Sequence, residues 1–324
     1  MRLILGSQAF DKNFTASVLT VGNFDGIHRG HLEVFRQLKR KADEKGLPAV
    51  IVTFDPHPLK VLAPRAVPPQ LTTLDQKVEL ITAAAMDSLV VIPFTTEFSR
   101  ITAENFVREL LCNSLGMRHI VIGHDYAFGR GREGNFSTLE RLGDECGFTV
   151  DDVPPIGEEG AVFSSSLVRG MIAAGDMPAA AGILGRYYSI AGTVEHGCNR
   201  GHSLGFPTAN IDTPNELLPP DGVYAVMANI DGTLVKGACN IGCNPTFESS
   251  RRTVEAFLLD FTGDIYEHSL RLHFVQKLRP VHRFPDAASL KDAICKDVVI
   301  CRQLLDAINL DRLKPGVRQE QRAL

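Results

Sequence analysis

The apolar pattern of this chain changes once, near Tyr187, and that change sets what the chain can fold into. Upstream, Ser17 to Gly22, Ala49 to Phe54, Leu89 to Pro93 and His119 to Gly123 read as buried strands. The stretches His28 to Glu44, Asp75 to Ala85 and Ala103 to Cys112 read as amphipathic helices between them. Strands alternating with helices make a parallel sheet covered on both faces, and ligands of such sheets sit beyond the carboxyl ends of the strands. Downstream, Tyr188 to Val194, Gly222 to Ile230, Thr233 to Ile241, Thr253 to Asp260 and Leu270 to Leu278 read as strands with only Gly, Pro and Asn turns between them. Leu270, Leu272 and Phe274 alternate with Arg271 and His273, the period of two expected of a half-buried antiparallel strand. The expected fold class is therefore α/β plus β. An N-terminal parallel-sheet domain spans residues 1–183, and a C-terminal antiparallel β-barrel spans 184–324, closed by a helix near Ala287 to Ile308.

The 324 residues are long for one core, which agrees with two domains. A net charge of -4 removes any whole-protein attraction to nucleic acid or anionic membrane, so no partner of either kind is expected. Apolar runs such as Ser88 to Phe94 fall well short of the about 18 residues that span a bilayer. Met1 to Phe10 is too short and too weakly charged for a signal peptide. The seven cysteines include no C-x-x-C pair, and the C-x-x-x-C spacing of Cys239 and Cys243 has no second pair to complete a zinc site. Reduced thiols in a cytoplasmic protein, a monomer or weak homo-oligomer, are the expectation.

The first strand runs straight into Gly22-Asn23-Phe24-Asp25-Gly26-Ile27-His28-Arg29-Gly30-His31. A strand, a glycine-rich turn and a helix in that order bring free backbone N–H groups and a positive dipole end to the edge of the sheet. His28 and His31 are three apart in the first helical turn, so they share a face and can reach one anion. Gly30 between them keeps the helix surface low enough for a nucleotide to approach. A plain turn carrying two surface histidines is the alternative. Placement of the whole string directly after the strand favours a phosphate site.

That string resembles the His-x-Gly-His nucleotidyltransferase motif, in the form found in the prokaryotic bifunctional riboflavin kinase/FMN adenylyltransferase (FAD synthetase) family. Three further segments resemble it too: Asp55-Pro56-His57-Pro58, Asp125 to Phe128 within Gly123 to Arg130, and Ser164-Ser165-Ser166 with Arg169. The resemblance implies a Rossmann-like nucleotidyltransferase domain that adenylylates FMN to FAD with ATP and releases pyrophosphate. His28 and His31 would be its catalytic pair. Gly22, Asn23, Phe24, Asp25, Gly26, Gly30 and the residues of the three further segments would bind nucleotide or flavin. Ala127 and Leu167 stand where many relatives carry Arg.

The second half contains Gly192 to Asn210, whose end Gly205-Phe206-Pro207-Thr208-Ala209-Asn210 resembles the riboflavin kinase signature of the same family. Gly197, Gly201 and Gly205 would make a pliable flap over phosphates, with Arg200 and Pro207 beside it. Thr208 and Asn210 alternate onto one face and would offer oxygens to Mg²⁺, with Mn²⁺ as the alternative metal. Thr253, Glu255, Leu258, Asp260 and Phe261 match the family's Thr-x-Glu-x-x-Leu-x-Asp-Phe segment, which makes Glu255 the expected base toward the riboflavin hydroxyl. Glu255 is expected to share its strand face with Phe257 and Leu259, on an otherwise apolar side. Gly237 to Phe247, including Asn244, also resembles the family and is expected beside flavin or ATP. Val281 and Cys295 depart from it, where relatives often have Glu and Gln. Three rivals remain: a riboflavin kinase whose sheet domain has decayed, a flavin-binding protein without turnover, and a nucleotidyltransferase of the same superfamily acting on another substrate.

Overall fold

Val18, Leu19, Val50, Ile51, Leu89, Val90, Ile120 and Val121 have no exposed surface, and together they form the middle of one sheet. The computed structural model describes residues 1–158, 160–196, 206–243 and 252–315. Their chain divides into two compact units, Met1–Ser165 and Ser166–Leu324.

Six strands make the first unit's sheet: β1 (Arg2–Leu5), β2 (Ser17–Val21), β3 (Ala49–Asp55), β4 (Ser88–Pro93), β5 (Met117–Gly123) and β6 (Thr149–Val153). They lie in the order β1-β4-β3-β2-β5-β6, and all neighbours run parallel. From β2 the chain builds outward through β3 and β4, then returns to the other side of β2 with β5. The direction reverses between β2 and β5, which is where an open parallel sheet leaves a crevice at its carboxyl edge. The helices α1 (Arg29–Lys45), α2 (Pro58–Leu62), α3 (Leu74–Ala83) and α4 (Phe136–Cys146) connect these strands. Val34, Phe35, Leu38 and Ala42 of α1 are buried at helical spacing, and Gly46 closes the helix in a left-handed conformation with φ 63°.

One helix is wound differently from its expectation. The stretch read as a helix from Ala103 to Cys112 is a single turn, Ala103–Asn105, capped by Thr102, that widens into a π-helix over Phe106–Ser114. The spacing of Phe106, Val107, Leu110 and Leu111 is that of an α-helix, and nothing in residue order marks the wider winding. The strands β1 and β6 also escaped the pattern because both are edges. Only Ile4 in the first and Val153 in the second are buried; β1 is four residues long with Leu3 and Leu5 exposed, and β6 carries only two apolar residues, so neither shows a period.

A two-stranded hairpin of β7 (Gly157–Glu158) and β8 (Ala161–Val162) leads to α5 (Ser165–Ala174) and α6 (Met177–Leu184). The second unit's strands are β9 (Tyr188–Glu195), β10 (Thr208–Asp212), β11 (Gly222–Ile230), β12 (Thr233–Cys243), β13 (Arg252–Leu258) and β14 (Ser269–Arg279). They close as an antiparallel barrel in the order β10-β13-β12-β11-β14-β9. The terminal helix α7 (Ala287–Asp306) starts at Asp286, whose carboxylate accepts from Ser289 N at 2.7 Å. It packs Cys301 and Leu305 against Ala225, Met227 and Val275.

Candidate active sites

The loop leaving β2 adopts a path that few side chains tolerate, with φ of 44° at Phe24, 77° at Gly26 and 38° at Ile27. Gly26 is required there twice over. Its φ is left-handed, and a Cβ would lie 2.6 Å from Leu71 Cδ1. A set of hydrogen bonds from distant residues holds this path. The buried Asp25 carboxylate accepts from Leu71 N at 3.0 Å and from Thr72 N and Oγ1 at 3.2 Å. Gly26 N donates to Thr72 Oγ1 at 3.2 Å. Ser165 Oγ donates to Asp25 O at 2.9 Å. Lys77 Nζ donates to Asn23 O at 2.7 Å and reaches Thr53 Oγ1 at 3.4 Å. Lys77 is 7% exposed. Burial holds its pKa below the usual lysine value, against the opposing charges of Asp25 and Asp55.

The loop delivers the chain into α1. His28 is the N-cap residue and His31 lies in the first turn; their rings stack with centroids 3.7 Å apart and planes 23° from parallel. His28 is 5% exposed and His31 is half-buried. Phe24 supports the pair, its ring edge-on to His31 at 5.3 Å and to Phe35 at 5.0 Å. A Cβ on Gly30 would stand 3.1 Å from the His28 ring, so glycine leaves the imidazole its place. Two imidazoles at the positive end of a helix, beside the sheet's crevice, can bind and stabilise phosphoryl oxygens.

The other expected residues of this unit divide by environment. Asp55 is exposed at the end of β3, and Asp125 is exposed just beyond β5, both at the carboxyl edge. Pro56 is exposed and Pro58 half-buried. His57 caps α2, with Nδ1 accepting from Leu59 N at 3.2 Å. Phe128 belongs to the hydrophobic core at 7% exposure, stacked on Tyr126 at 5.3 Å. Gly22 admits no side chain, since a Cβ would meet the Phe24 ring at 2.8 Å. Ser164 is half-buried, while Ser166 and Arg169 fall within the second unit. Sequence reasoning missed Lys77, Leu71 and Thr72. They are 46 to 54 residues from the loop they hold, and no local pattern marks them.

The second candidate site lies on the barrel. Thr208 and Asn210 of β10 are both half-buried, alternating with the buried Ala209 and Ile211. On β13, Thr253, Glu255 and Phe257 form one half-buried face, opposite Val254, Ala256 and Leu258. Register places Glu255 directly between Asn210 on β10 and Asn240 on β12. Thr253 Oγ1 lies 3.2 Å from Gly242 O and 3.4 Å from Glu255 Oε1, and its one proton is shared between these two acceptors. The expectation of an otherwise apolar side is corrected by these neighbours. The strand ends at Leu258, so Leu259 does not share the face, and three strands contribute polar side chains to it. A hydroxyl, an amide and a carboxylate gathered on one surface form a donor set of hard oxygens, which suits Mg²⁺. Pro207 is described beside Thr208. Gly197, Arg200, Gly201, Gly205 and Asn244 lie outside the described residues.

Known proteins resemble both halves in this order. Residues 10–167 match the FAD synthetase family, and residues 184–305 match the riboflavin kinase family. A bifunctional riboflavin kinase/FMN adenylyltransferase from Pseudomonas fluorescens is 36% identical over 305 residues, covering 94% of this chain and 98% of its own length. The protein of the same description from Escherichia coli strain K12 is 34% identical over 287 residues, covering 88% and 92%. A crystal structure described as a macrolide-efflux protein from Streptococcus pneumoniae has a TM-score of 0.82 and 29% identity, covering 89% of this chain and 94% of that one. With two catalytic families matched in sequence order and relatives aligned over nearly the full length, the chain belongs to the bifunctional riboflavin kinase/FMN adenylyltransferases, enzymes that make FMN from riboflavin and FAD from FMN.

Proposed function

We propose that the two reactions run at the two surfaces just described, one on each domain, over extents of 1–183 and 184–324. The observation that carries this reading is the stacked His28–His31 pair at the N-terminus of α1, beside the crevice of the parallel sheet. There the FMN phosphate attacks the α-phosphorus of ATP, and the bond to pyrophosphate breaks. His28 and His31 stabilise the charge on the oxygens in transit. The fixed loop from Gly22 to Ile27 orients the nucleotide without having to order itself first. Asp25 acts by holding that loop. Asp55, Pro56, His57, Pro58, Asp125, Ser164, Ser165, Ser166 and Arg169 contribute to binding nucleotide and flavin, with Phe128 shaping the wall behind them.

On the barrel, Glu255 takes the proton of the ribityl hydroxyl as that oxygen attacks the γ-phosphorus of ATP. Thr208 and Asn210 would hold Mg²⁺, which when bound offsets the charge of the ATP phosphates. Gly197, Arg200, Gly201, Gly205, Pro207 and Asn244 complete this proposed site. The substrates are small molecules. The net charge of -4 favours action without nucleic acid or membrane, in the cytoplasm, as a monomer or weak homo-oligomer, and among the described residues no helix is long and apolar enough to cross a membrane.

The test is to supply riboflavin, ATP and Mg²⁺ and separate the flavins. The double variant His28→Ala with His31→Ala should accumulate FMN and make no FAD. Loss of both products from a folded variant would refute separate sites.

A further inference from the structure

A cavity of about 460 Å³ opens at the other end of the parallel sheet, away from the phosphate loop. Thr15, just before β2, and Gly116, just before β5, line it, so it lies at the amino ends of strands whose carboxyl ends carry the proposed chemistry. The π-helix contributes Arg108 and Cys112, and the last residue of α4 contributes Cys146. Both thiols are reduced and half-buried. Nothing in the flavin reactions uses them.

The two sulfurs are not equivalent. Arg108 Nη1 donates to Cys146 Sγ at 3.1 Å. That guanidinium is held in place by Glu104 at 2.9 Å and by Glu145. The Arg108 contact fixes the direction of the Cys146 sulfur at the end of α4. Cys112 differs. Burial, the adjacent Cys146 and a hydrogen bond to it push the Cys112 thiol up to about 12. Cys112 is thus held back by burial, and Cys146, fixed by the guanidinium, is placed to attack first. Lys12 and Arg118 add positive charge to the cavity wall, against the single carboxylate of Glu109.

We propose that Cys146 and Cys112 form a thiol–disulfide exchange pair that small anionic disulfides reach through this cavity. In the first step the Cys146 thiolate attacks one sulfur of the small disulfide; the S–S bond breaks, and one thiolate leaves and takes up a proton. In the second, Cys112 loses its proton to solvent and attacks the Cys146 sulfur of the mixed disulfide, expelling the second thiolate. The two cysteines lose two electrons and two protons, and the small disulfide becomes two thiols.

The experiment uses the full chain, with oxidised glutathione as the anionic probe and cystamine as the cationic one. After alkylation of remaining thiols, mass spectrometry of the folded protein should show a loss of two hydrogen atoms and a peptide linking Cys112 to Cys146. The anionic probe should act faster than the cationic one. Cys112→Ser should stop at a glutathione adduct on Cys146. Cys146→Ser should react at Cys112 at least about tenfold more slowly, since the buried thiol must then attack on its own. Exposed Cys295 serves as the internal reference for an ordinary thiol. FMN adenylylation, which the domain carrying both cysteines is proposed to perform, reports that each variant is folded. The proposal is overturned if wild-type protein gives adducts at Cys295 with no Cys112–Cys146 linkage, or if Cys146→Ser leaves the rate at Cys112 unchanged.

Discussion

Lys77 and Asn23 are 54 residues apart in sequence, yet the lysine ammonium donates to the asparagine carbonyl at 2.7 Å inside the protein. The same ammonium reaches Thr53, whose hydroxyl also donates to Asn23 O at 3.2 Å. One buried cation therefore ties the loop after β2 to the end of β3. A lysine is seldom buried without such a task, because desolvating it is costly.

Replacing Lys77 by Met should release the loop while keeping the length of the side chain. A hydrogen bond from a charged group contributes about 1.5–3 kcal/mol, so FMN adenylylation should fall on the order of 10- to 100-fold. FMN formation from riboflavin should be unchanged. Separate steady-state assays of the two reactions check this, and an equal loss in both would show a general folding defect instead.

Gly30→Ala tests the imidazole pair without touching either histidine. The added methyl would press on the His28 ring from 3.1 Å. Alanine favours a helix over glycine by about 1 kcal/mol, so stability should hold or rise. Adenylylation should nevertheless drop, with riboflavin phosphorylation intact. A variant that stabilises the protein and keeps full FAD synthesis would detach the stacking geometry from the chemistry.

Glu255→Gln preserves size and hydrogen-bonding capacity but cannot accept the substrate proton. Removing a general base typically costs about 10²- to 10⁴-fold. FMN formation should fall by that order, while supplied FMN is still converted to FAD. Unaltered kinase turnover would remove Glu255 from the role of base.

His273 gives the barrel a dependence on acid. Burial, reinforced by the charges of Arg271 and Arg186, pushes its pKa down to about 3. The folded protein keeps this imidazole neutral, whereas the unfolded chain takes a proton below about pH 6.5. Stability present above that pH is therefore lost as pH falls toward 3, at up to about 1.4 kcal/mol per pH unit. His273→Gln should flatten this part of the curve. Urea midpoints of the barrel transition measured from pH 7.5 down to 4.5 compare the two proteins, and parallel curves would exclude the histidine as the cause.

How much of this was legible in the residues follows from how local each feature is. The string Gly22 to His31 is contiguous, so its loop, helix start and paired histidines could be read directly. The apolar runs of β2 to β5 are equally local, whereas the alternation expected along β14 breaks at His273 and Val275, which are buried together with Leu272 and Phe274. Lys77, Leu71 and Thr72 could not be found that way, because their partners are distant and their own neighbourhoods look like an ordinary helix and its approach. Asn240 stood inside a stretch already marked as family-like, but its place beside Glu255 is decided by how β12 and β13 align. The π-helix was hidden for a different reason: its buried residues fit the ordinary helical period as well as the wider one.

Side chains on adjacent strand residues point to opposite faces, and Asn210, Glu255 and Asn240 meet only because three strands agree on alignment. A single residue added to or deleted from β10 or β13 would turn one of these groups away while leaving every one of them present in the sequence. In this half of the molecule, length is therefore as strictly constrained as identity, and inheritance here should favour exchange of residues over gaps.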